Sequence, residues 1–272
     1  MIAIEYGSRH NGILSCYSDR DLLLIYNSWK YTKEDKKRYQ LLGYDVTVMS
    51  EKKAIYLANT GSLFLKHVID EGKVIAGDVD IYEKVRSLWQ AKNDYQYEID
   101  SNIDIIELLY FLPENKYSLL FVNDLLITGI RNISIRRFAA EGVYIFAWEE
   151  IFKWLCLHGL INKKEVRILL YSRKLKNAYR LKMYYEVELS FINALIEIAK
   201  KIIKFNGRLR FCNHKSTILS LPDKFQERSY KQLRAYEVVC SFYQFRKDIM
   251  DIANMVSNPS YFSNSGIGKD FG

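Results

Sequence analysis

Two aspartates that alternate at the start of an uninterrupted apolar run constrain this chain more than any other feature. Asp19 and Asp21 precede residues 22–25, which read Leu-Leu-Leu-Ile. Such a run is typical of a strand that is buried on both faces of a sheet. Because successive side chains of a strand point to opposite faces, Asp19 and Asp21 share one face, and their like charges repel unless a cation lies between them. The stretch therefore predicts a buried strand that begins with a metal-binding pair of carboxylates.

The first 95 residues alternate between strand-like and helix-like patterns. The predicted strands cover residues 3–6, 21–26, 44–49 and 73–76. The predicted helices cover residues 33–42, 62–71 and 79–91, and residues 7–14 predict a turn into a short helix. After about residue 100, helical spacing dominates, over residues 102–112, 117–139, 147–158, 163–172, 174–204 and 227–256, with a strand pair at 209–211 and 218–219.

The change of period near residue 95 predicts two domains and an α+β fold class. Residues 1–95 are expected to form a small mixed-sheet domain, and residues 96–272 a mostly helical domain that binds a substrate. Four cysteines without C-x-x-C spacing argue against a zinc site and a disulfide framework. The sequence shows no signal-peptide pattern and no apolar run of the ~18 residues that span a bilayer, so a cytoplasmic protein without a membrane partner is expected.

The net charge of +8 is spread unevenly, and most of the positive excess follows residue 95. This favours a polyanionic partner, with a merely solvated basic surface as an equally weighted alternative. Arg131 lies on a predicted helix, and Arg173 and Lys174 begin a run of five basic residues in ten that is interleaved with tyrosines. Basic and aromatic side chains together suit a nucleic-acid surface, so these three residues are candidate substrate contacts.

An ordered set of small and acidic residues surrounds the aspartate pair. Gly7-Ser8 and Gly12 precede Ser18-Asp19-Arg20-Asp21, and Asp45 stands alone in the next predicted strand. This order resembles the signature of the DNA polymerase β-like nucleotidyltransferase superfamily, and in particular its minimal and aminoglycoside-type branches. The resemblance covers roughly residues 1–95, and it implies a nucleotidyltransferase domain followed by a variable substrate domain.

The resemblance also implies a set of functional residues. Asp19, Asp21 and Asp45 would be the catalytic carboxylates and would bind two Mg²⁺ ions, with Mn²⁺ as an alternative. Gly7, Ser8, Arg9 and Ser18 would hold the phosphates of a nucleoside triphosphate such as ATP. Hard carboxylate oxygens are the ligands that Mg²⁺ prefers, and two ions can stabilise both the attacking and the leaving oxygen. The implied reaction transfers a nucleoside monophosphate to an acceptor hydroxyl and releases pyrophosphate.

Three classes of acceptor remain open at this point: an RNA such as tRNA, a small hydroxyl compound, or a protein hydroxyl. The alternative to an enzyme is a catalytically inactive nucleotidyltransferase-like module of a toxin–antitoxin or phage-defence system. Two nearby residues favour structural roles. His67 is expected to be a core histidine, and Asp78 is expected to cap a helix, with Asp78 and Asp80 held in reserve as metal ligands.

Overall fold

The computed structural model describes residues 1–7, 20–27, 32–180, 183, 185–205, 208–226 and 229–242. They divide into two compact units. The first unit contains residues 1–96 and 135–151, and the second contains residues 97–134 and the described residues from 152 onward. Residues 135–151 follow the predicted domain boundary and nevertheless belong to the first unit.

The strands of the first unit are β1 (Ile2–Tyr6), β2 (Arg20–Tyr26), β3 (Tyr44–Ser50) and β4 (Lys73–Gly77). They form one mixed sheet in the order β3-β2-β1-β4. β1 is antiparallel to β2 and to β4, whereas β2 is parallel to β3. All four strands were predicted from the sequence, and the small mixed sheet beside many helices confirms the α+β class.

Four helices of the first unit cover the sheet: α1 (Thr32–Leu41), α2 (Glu51–Asn59), α3 (Leu63–Glu71) and α4 (Val79–Leu88). On one face, Leu23 and Ile25 of β2 pack with apolar residues of α2, α3 and α4. On the other face, Leu22 and Leu24 pack with Tyr39 of α1. β2 is therefore buried on both faces, as its continuous apolar run predicts.

Helix α2 is the element of this unit that the sequence patterns missed. β3 passes directly into it without an intervening glycine or proline, so no turn signal marks the change. The hydroxyl of Ser50 caps the helix by accepting a hydrogen bond from the backbone N–H of Lys53 at 3.2 Å. Asp78 caps α4 in a similar way, accepting from the N–H of Asp80 at 3.0 Å, which confirms its predicted capping role.

The later helices are α5 (Gln96–Ile106), α6 (Lys116–Ala140), α7 (Trp148–Leu157), α8 (Lys163–Arg180), α9 (Leu189–Ile203), α10 (Lys215–Leu219) and α11 (Tyr230–Phe242). Short 3₁₀ turns cover Glu107–Phe111 and Pro222–Lys224. The predicted helix over residues 174–204 is interrupted, because α8 ends at Arg180 and α9 begins at Leu189. The predicted strand pair is wrong: Ile218 lies in α10, and Phe211 bridges to Leu112 instead.

Helix α6 is long and apolar enough to cross a membrane by length and composition. In this structure, however, 78% of its apolar window is buried inside the protein, as in the core helix of a soluble protein. Such burial leaves little of its apolar surface for lipid, so the structure is compatible with a soluble protein.

Buried polar side chains connect α6, α8 and α11 in the second unit. Asp124 of α6 is fully buried and accepts hydrogen bonds from Lys176 at 3.0 Å and from Arg234 at 2.7 Å. Arg180 contacts both carboxylate oxygens of Asp124 at 3.3 Å. Burial alone would raise the pKa of Asp124, but the three cations hold that pKa well below its usual value. We define these residues, together with Tyr179 and Glu237, as the Asp124 cluster.

We predict that Asp124→Asn destabilises the protein strongly, because three cationic side chains then face a neutral amide in a buried site. Breaking a buried ion pair by removal of one partner costs ~3–5 kcal/mol. The matched control is Asp104→Asn, which removes a carboxylate that is 58% exposed and 3.8 Å from Lys231; a surface pair contributes ~1 kcal/mol or less. Urea denaturation at pH 7 measures both changes. Equal free energies of unfolding for the two variants would contradict a structural role for the cluster.

Candidate functional site

Two aspartates meet at one end of the sheet. Asp21 of β2 and Asp45 of β3 are direct partners in the parallel ladder. Adjacent strands lie ~4.8 Å apart, and paired residues on them point to the same face. Asp21 is half-buried and Asp45 is exposed. The sequence predicted that Asp45 lies on the strand beside the aspartate pair. In the structure, Asp45 is directly opposite Asp21 on the neighbouring strand.

The phenol of Tyr6 faces the same pair of carboxylates. Tyr6 is the last residue of β1 and the antiparallel partner of Asp21. Burial raises the pKa of Tyr6 to about 12, with further raising by the charges of Asp21 and Asp45 and an opposing hydrogen bond to Thr47. The phenol, which is neutral at physiological pH in any case, thus keeps its proton into the alkaline range and can donate a hydrogen bond beside the carboxylates. Sequence patterns did not identify Tyr6 or Thr47, because only the register between three strands brings them together.

The turn after β1 passes directly over Asp21. Gly7 has a φ of +94°, a conformation that L side chains rarely adopt. A Cβ built on Gly7 would lie 2.8 Å from Oδ2 of Asp21. The missing side chain of Gly7 thus leaves the space that the Asp21 carboxylate occupies. The predicted contact of Gly7 with a substrate phosphate stays a prediction; in the structure, the group next to Gly7 is a carboxylate of the protein itself.

Arg20 fixes the end of β2 from the opposite face of the sheet. Its Nε lies 3.4 Å from Oε1 of Glu5 on β1, and its guanidinium lies over the ring of Tyr44 on β3, 4.1 Å from the centroid. It also donates a hydrogen bond to the Tyr44 hydroxyl. Arg20 therefore contacts both neighbouring strands next to the position where Asp21 and Asp45 pair, which supports their alignment.

His67 of α3 packs beside Tyr6. The two rings meet edge to face at 5.6 Å, and the imidazole stacks on Phe146 at 4.7 Å. Its Nε2 lies 3.1 Å from Oε2 of Glu71. The histidine thus has a hydrogen-bonding partner and two aromatic neighbours, which agrees with the predicted core role. Phe146 belongs to the 135–151 segment, so that segment packs on His67, a neighbour of Tyr6, which a boundary at residue 95 does not anticipate.

Four of the predicted site residues lie outside the described residues: Ser8, Arg9, Ser18 and Asp19. Asp21, Asp45 and Gly7 are therefore the predicted residues that the described part of the chain brings together. Within that part, no group of three or more His, Cys, Asp or Glu side chains could hold a metal ion. Two adjacent carboxylates nevertheless fit Mg²⁺, which takes one or two carboxylates and completes its shell with water and substrate phosphates.

The three basic candidates belong to the second unit. Arg131 lies on α6, and Arg173 and Lys174 lie on α8. Lys174 is exposed, whereas Arg131 and Arg173 are half-buried. Further along the same basic run, Lys176 and Arg180 bind the buried carboxylate of Asp124. At least these two charges of the run thus have a structural partner, which the count of basic residues in the sequence could not reveal.

No protein-family profile, curated protein or solved structure matches this chain. The interpretation of the sheet end therefore depends on its residues and their geometry.

We predict that Gly7→Ala costs more stability than Gly43→Ala. Both glycines have a positive φ, +94° and +83°, but a Cβ at Gly43 meets nothing within 4 Å. Only Gly7→Ala forces the Asp21 carboxylate to move, and an unfavourable side-chain conformation costs ~1 kcal/mol. Urea denaturation of both variants measures the difference.

The substitutions Gly7→Ala and Gly43→Ala are then compared in a protein that also carries Asp21→Ala. This change removes the carboxylate that the new methyl group at position 7 would meet. The extra cost of Gly7→Ala should disappear there, since the two residues are coupled. A difference that persists without the carboxylate would show that Gly7 does not accommodate Asp21.

Proposed function

We propose that this protein is a metal-dependent nucleotidyltransferase of the cytoplasm. Its donor is a nucleoside triphosphate such as ATP, and its products are a nucleotidylated acceptor and pyrophosphate. The observation that carries the proposal is the in-register pairing of Asp21 with Asp45, on one face of the sheet and beside the turn at Gly7. Two carboxylates side by side at a solvent-accessible sheet end bring like charges together, and a bound divalent cation relieves their repulsion.

In the proposed reaction, the acceptor hydroxyl attacks the α-phosphorus, and the bond to the β,γ-pyrophosphate breaks. Asp19, Asp21 and Asp45 are the proposed ligands for two Mg²⁺ or Mn²⁺ ions. When bound, the ions lower the pKa of the acceptor hydroxyl and neutralise charge on the leaving pyrophosphate. A carboxylate oxygen of Asp45 accepts the proton of the hydroxyl. Gly7, Ser8, Arg9 and Ser18 are the proposed contacts for the phosphates.

Tyr6 has a supporting role in this proposal. A phenol is neutral at physiological pH, and burial together with the two aspartates raises the pKa of Tyr6 further, to about 12. A neutral phenol next to Asp21 and Asp45 adds no negative charge to a site that must bind a triphosphate. It is therefore a positioning residue for the carboxylates.

The acceptor belongs to one of the three classes that the sequence left open. The exposed basic side chains of α8 favour RNA, and they include Lys163, Lys164, Arg167 and Lys174, with exposed Tyr171 between them. Such a surface binds phosphates, and an aromatic ring can stack on a base. If the acceptor is RNA, the second unit binds it and the first unit catalyses the nucleotidyl transfer.

We predict that Asp21→Asn and Asp45→Asn each lower nucleotidyl transfer by ~100-fold or more, because a metal ion contributes several kcal/mol of transition-state stabilisation. The assay incubates the full chain with Mg²⁺, each labelled nucleoside triphosphate in turn, and a cell extract that supplies the acceptor. Asp70→Asn is the matched control, since this carboxylate of the first unit lies in an ion pair with Lys66 at 2.7 Å.

Transfer by both aspartate variants at the level of the unchanged protein would exclude the proposed mechanism. Absence of transfer by the unchanged protein, together with Mg²⁺-dependent nucleotide binding that both variants lose, would instead identify the inactive binding module. Circular dichroism of each variant verifies that the fold is retained.

We predict that RNA binding, if RNA is the acceptor, weakens steeply with salt and depends on the exposed face of α8. Each phosphate contact that is lost reduces the slope of log K against log salt by ~0.7–0.9. Lys174→Gln is therefore expected to reduce that slope, whereas Lys84→Gln should leave it unchanged, because Lys84 lies on α4 in an ion pair with Glu51. Fluorescence anisotropy with a labelled tRNA over a salt series measures the slope. Affinity that does not respond to salt would exclude RNA in favour of the other two acceptor classes.

A further inference from the structure

The Asp124 cluster contains more positive than negative charge. Three cations, Lys176, Arg180 and Arg234, surround Asp124. The second carboxylate is that of Glu237, whose Oε2 lies 2.5 Å from Nη1 of Arg234 without hydrogen-bond geometry. The hydroxyl of Tyr179 donates to Oε1 of Glu237 at 3.3 Å. With both carboxylates ionised, one positive charge has no counterpart inside the cluster.

The cluster also holds hydrogen-bond donors that its carboxylates do not satisfy. Arg234 is fully buried, and among the described residues its Nε and Nη1 have no hydrogen-bond partner. Each guanidinium carries five N–H bonds and each ammonium three. Asp124 receives one hydrogen bond from Lys176, two from Arg180 and one from Arg234. Arg234 is closed to solvent, but Arg180 and Lys176 keep further N–H groups that these bonds do not use, and an additional acceptor on the solvent side can receive them.

Solvent reaches the cluster at two of its cations. The side chain of Arg180 is 31% exposed and that of Lys176 is 17% exposed, whereas Asp124 and Arg234 are fully buried. The solvent-accessible side chains of the cluster are therefore both cationic. A guanidinium and an ammonium that reach solvent side by side match the oxygens of a phosphate group.

We propose that the Asp124 cluster is a binding site for a small phosphate-bearing anion, which contacts Arg180 and Lys176 from the solvent side. The limited exposure of these two side chains favours a single terminal phosphate over the continuous backbone of a nucleic acid. This site shares no residue with the proposed transferase site, since all of its residues belong to the second unit. The anion supplies the missing negative charge and accepts hydrogen bonds from N–H groups that Asp124 does not use.

Anion binding is tested by thermal unfolding of the full chain with increasing sulfate, inorganic phosphate or adenosine monophosphate, at pH 8 and constant ionic strength. A ligand that binds only the folded state raises the melting temperature in a saturable manner. We predict saturable stabilisation by at least one of the three anions, and the tightest of them shows whether a free anion or a phosphate monoester is preferred. No saturable stabilisation by any of them would overturn the proposal.

The variant Arg180→Gln is expected to weaken the binding by ~10-fold or more, because a charge-assisted hydrogen bond is lost. The matched control is Arg167→Gln, an exposed arginine on the same helix, which should leave the affinity unchanged. If Arg180→Gln does not fold, Arg180→Lys replaces it in the test. This variant keeps the positive charge but loses the paired N–H donors of the guanidinium, and it should show an intermediate affinity. Equal affinities for the Arg180 and Arg167 variants would place the anion elsewhere on the protein.

Glu237 provides a second readout. Burial raises the pKa of Glu237 to about 7, against the opposing charge of Arg234. The other charged or titratable groups at this position are Asp124 from α6, Lys176, Tyr179 and Arg180 from α8, and Tyr230 and Arg234 from α11. Glu237 becomes neutral as the pH falls below 7, so the cluster gains positive charge.

Sulfate keeps its charge between pH 8 and pH 6, and its affinity is therefore expected to rise over that interval. Glu237→Gln imitates the protonated side chain and should bind sulfate tightly at both pH values. An affinity that rises equally in the variant and in the unchanged protein would contradict binding at this cluster. Loss of transferase activity in the Asp21 and Asp45 variants has no bearing on these outcomes, since sulfate binding is measured without Mg²⁺ or nucleotide.

Discussion

The parallel pairing of β2 with β3 is the constraint on which the candidate site depends. Parallel neighbours need a crossover connection, and α1 lies in the connection between these two strands. Because of that connection, both strands begin at the same end of the sheet. The second residue of each strand is an aspartate, so the register pairs Asp21 with Asp45. An antiparallel β3 that continued from a tight hairpin would have carried Asp45 to the end opposite the start of β2.

The surroundings of this pair explain how a sheet with an apolar interior tolerates two carboxylates. Leu23 and Ile25 occupy the same face as Asp21 and are buried under helices, so the polar groups are confined to the sheet end. There Asp45 is exposed to water, and Gly7 leaves room for the carboxylate of Asp21. The pKa of Tyr6 is raised in the same place, because ionisation of the phenol would add a third negative charge to a buried position. The protein thus concentrates negative charge where solvent or a cation can reach it.

Local patterns in the sequence predicted the four strands of the first unit, because period and side-chain branching are properties of short segments. The apolar run after Asp21 identified β2, and the isolated Asp45 identified its acidic neighbour. What local patterns cannot express is contact between distant segments. The packing of Phe146 on His67 joins residues that are 79 positions apart, and the role of Tyr6 depends on the register of three strands. Helix α2 was missed for a different reason, since a strand that passes directly into a helix carries no turn residues.

The basic run on α8 shows why the number of basic residues in a sequence differs from the number that is exposed on the surface. Ser172, Lys176 and Arg180 recur every four residues and therefore share one face of the helix. Ser172 on that face is fully buried, and it exchanges two hydrogen bonds with Asn123 of α6, at 2.7 and 2.9 Å. The same face brings Lys176 and Arg180 to Asp124, so part of their charge is compensated inside the protein. Lys174 and Arg167 lie on the exposed side. A polyanion, which the net charge of +8 favours, can therefore contact only some of the basic residues of this run. The helical period distinguishes the exposed basic residues from those that face Asp124.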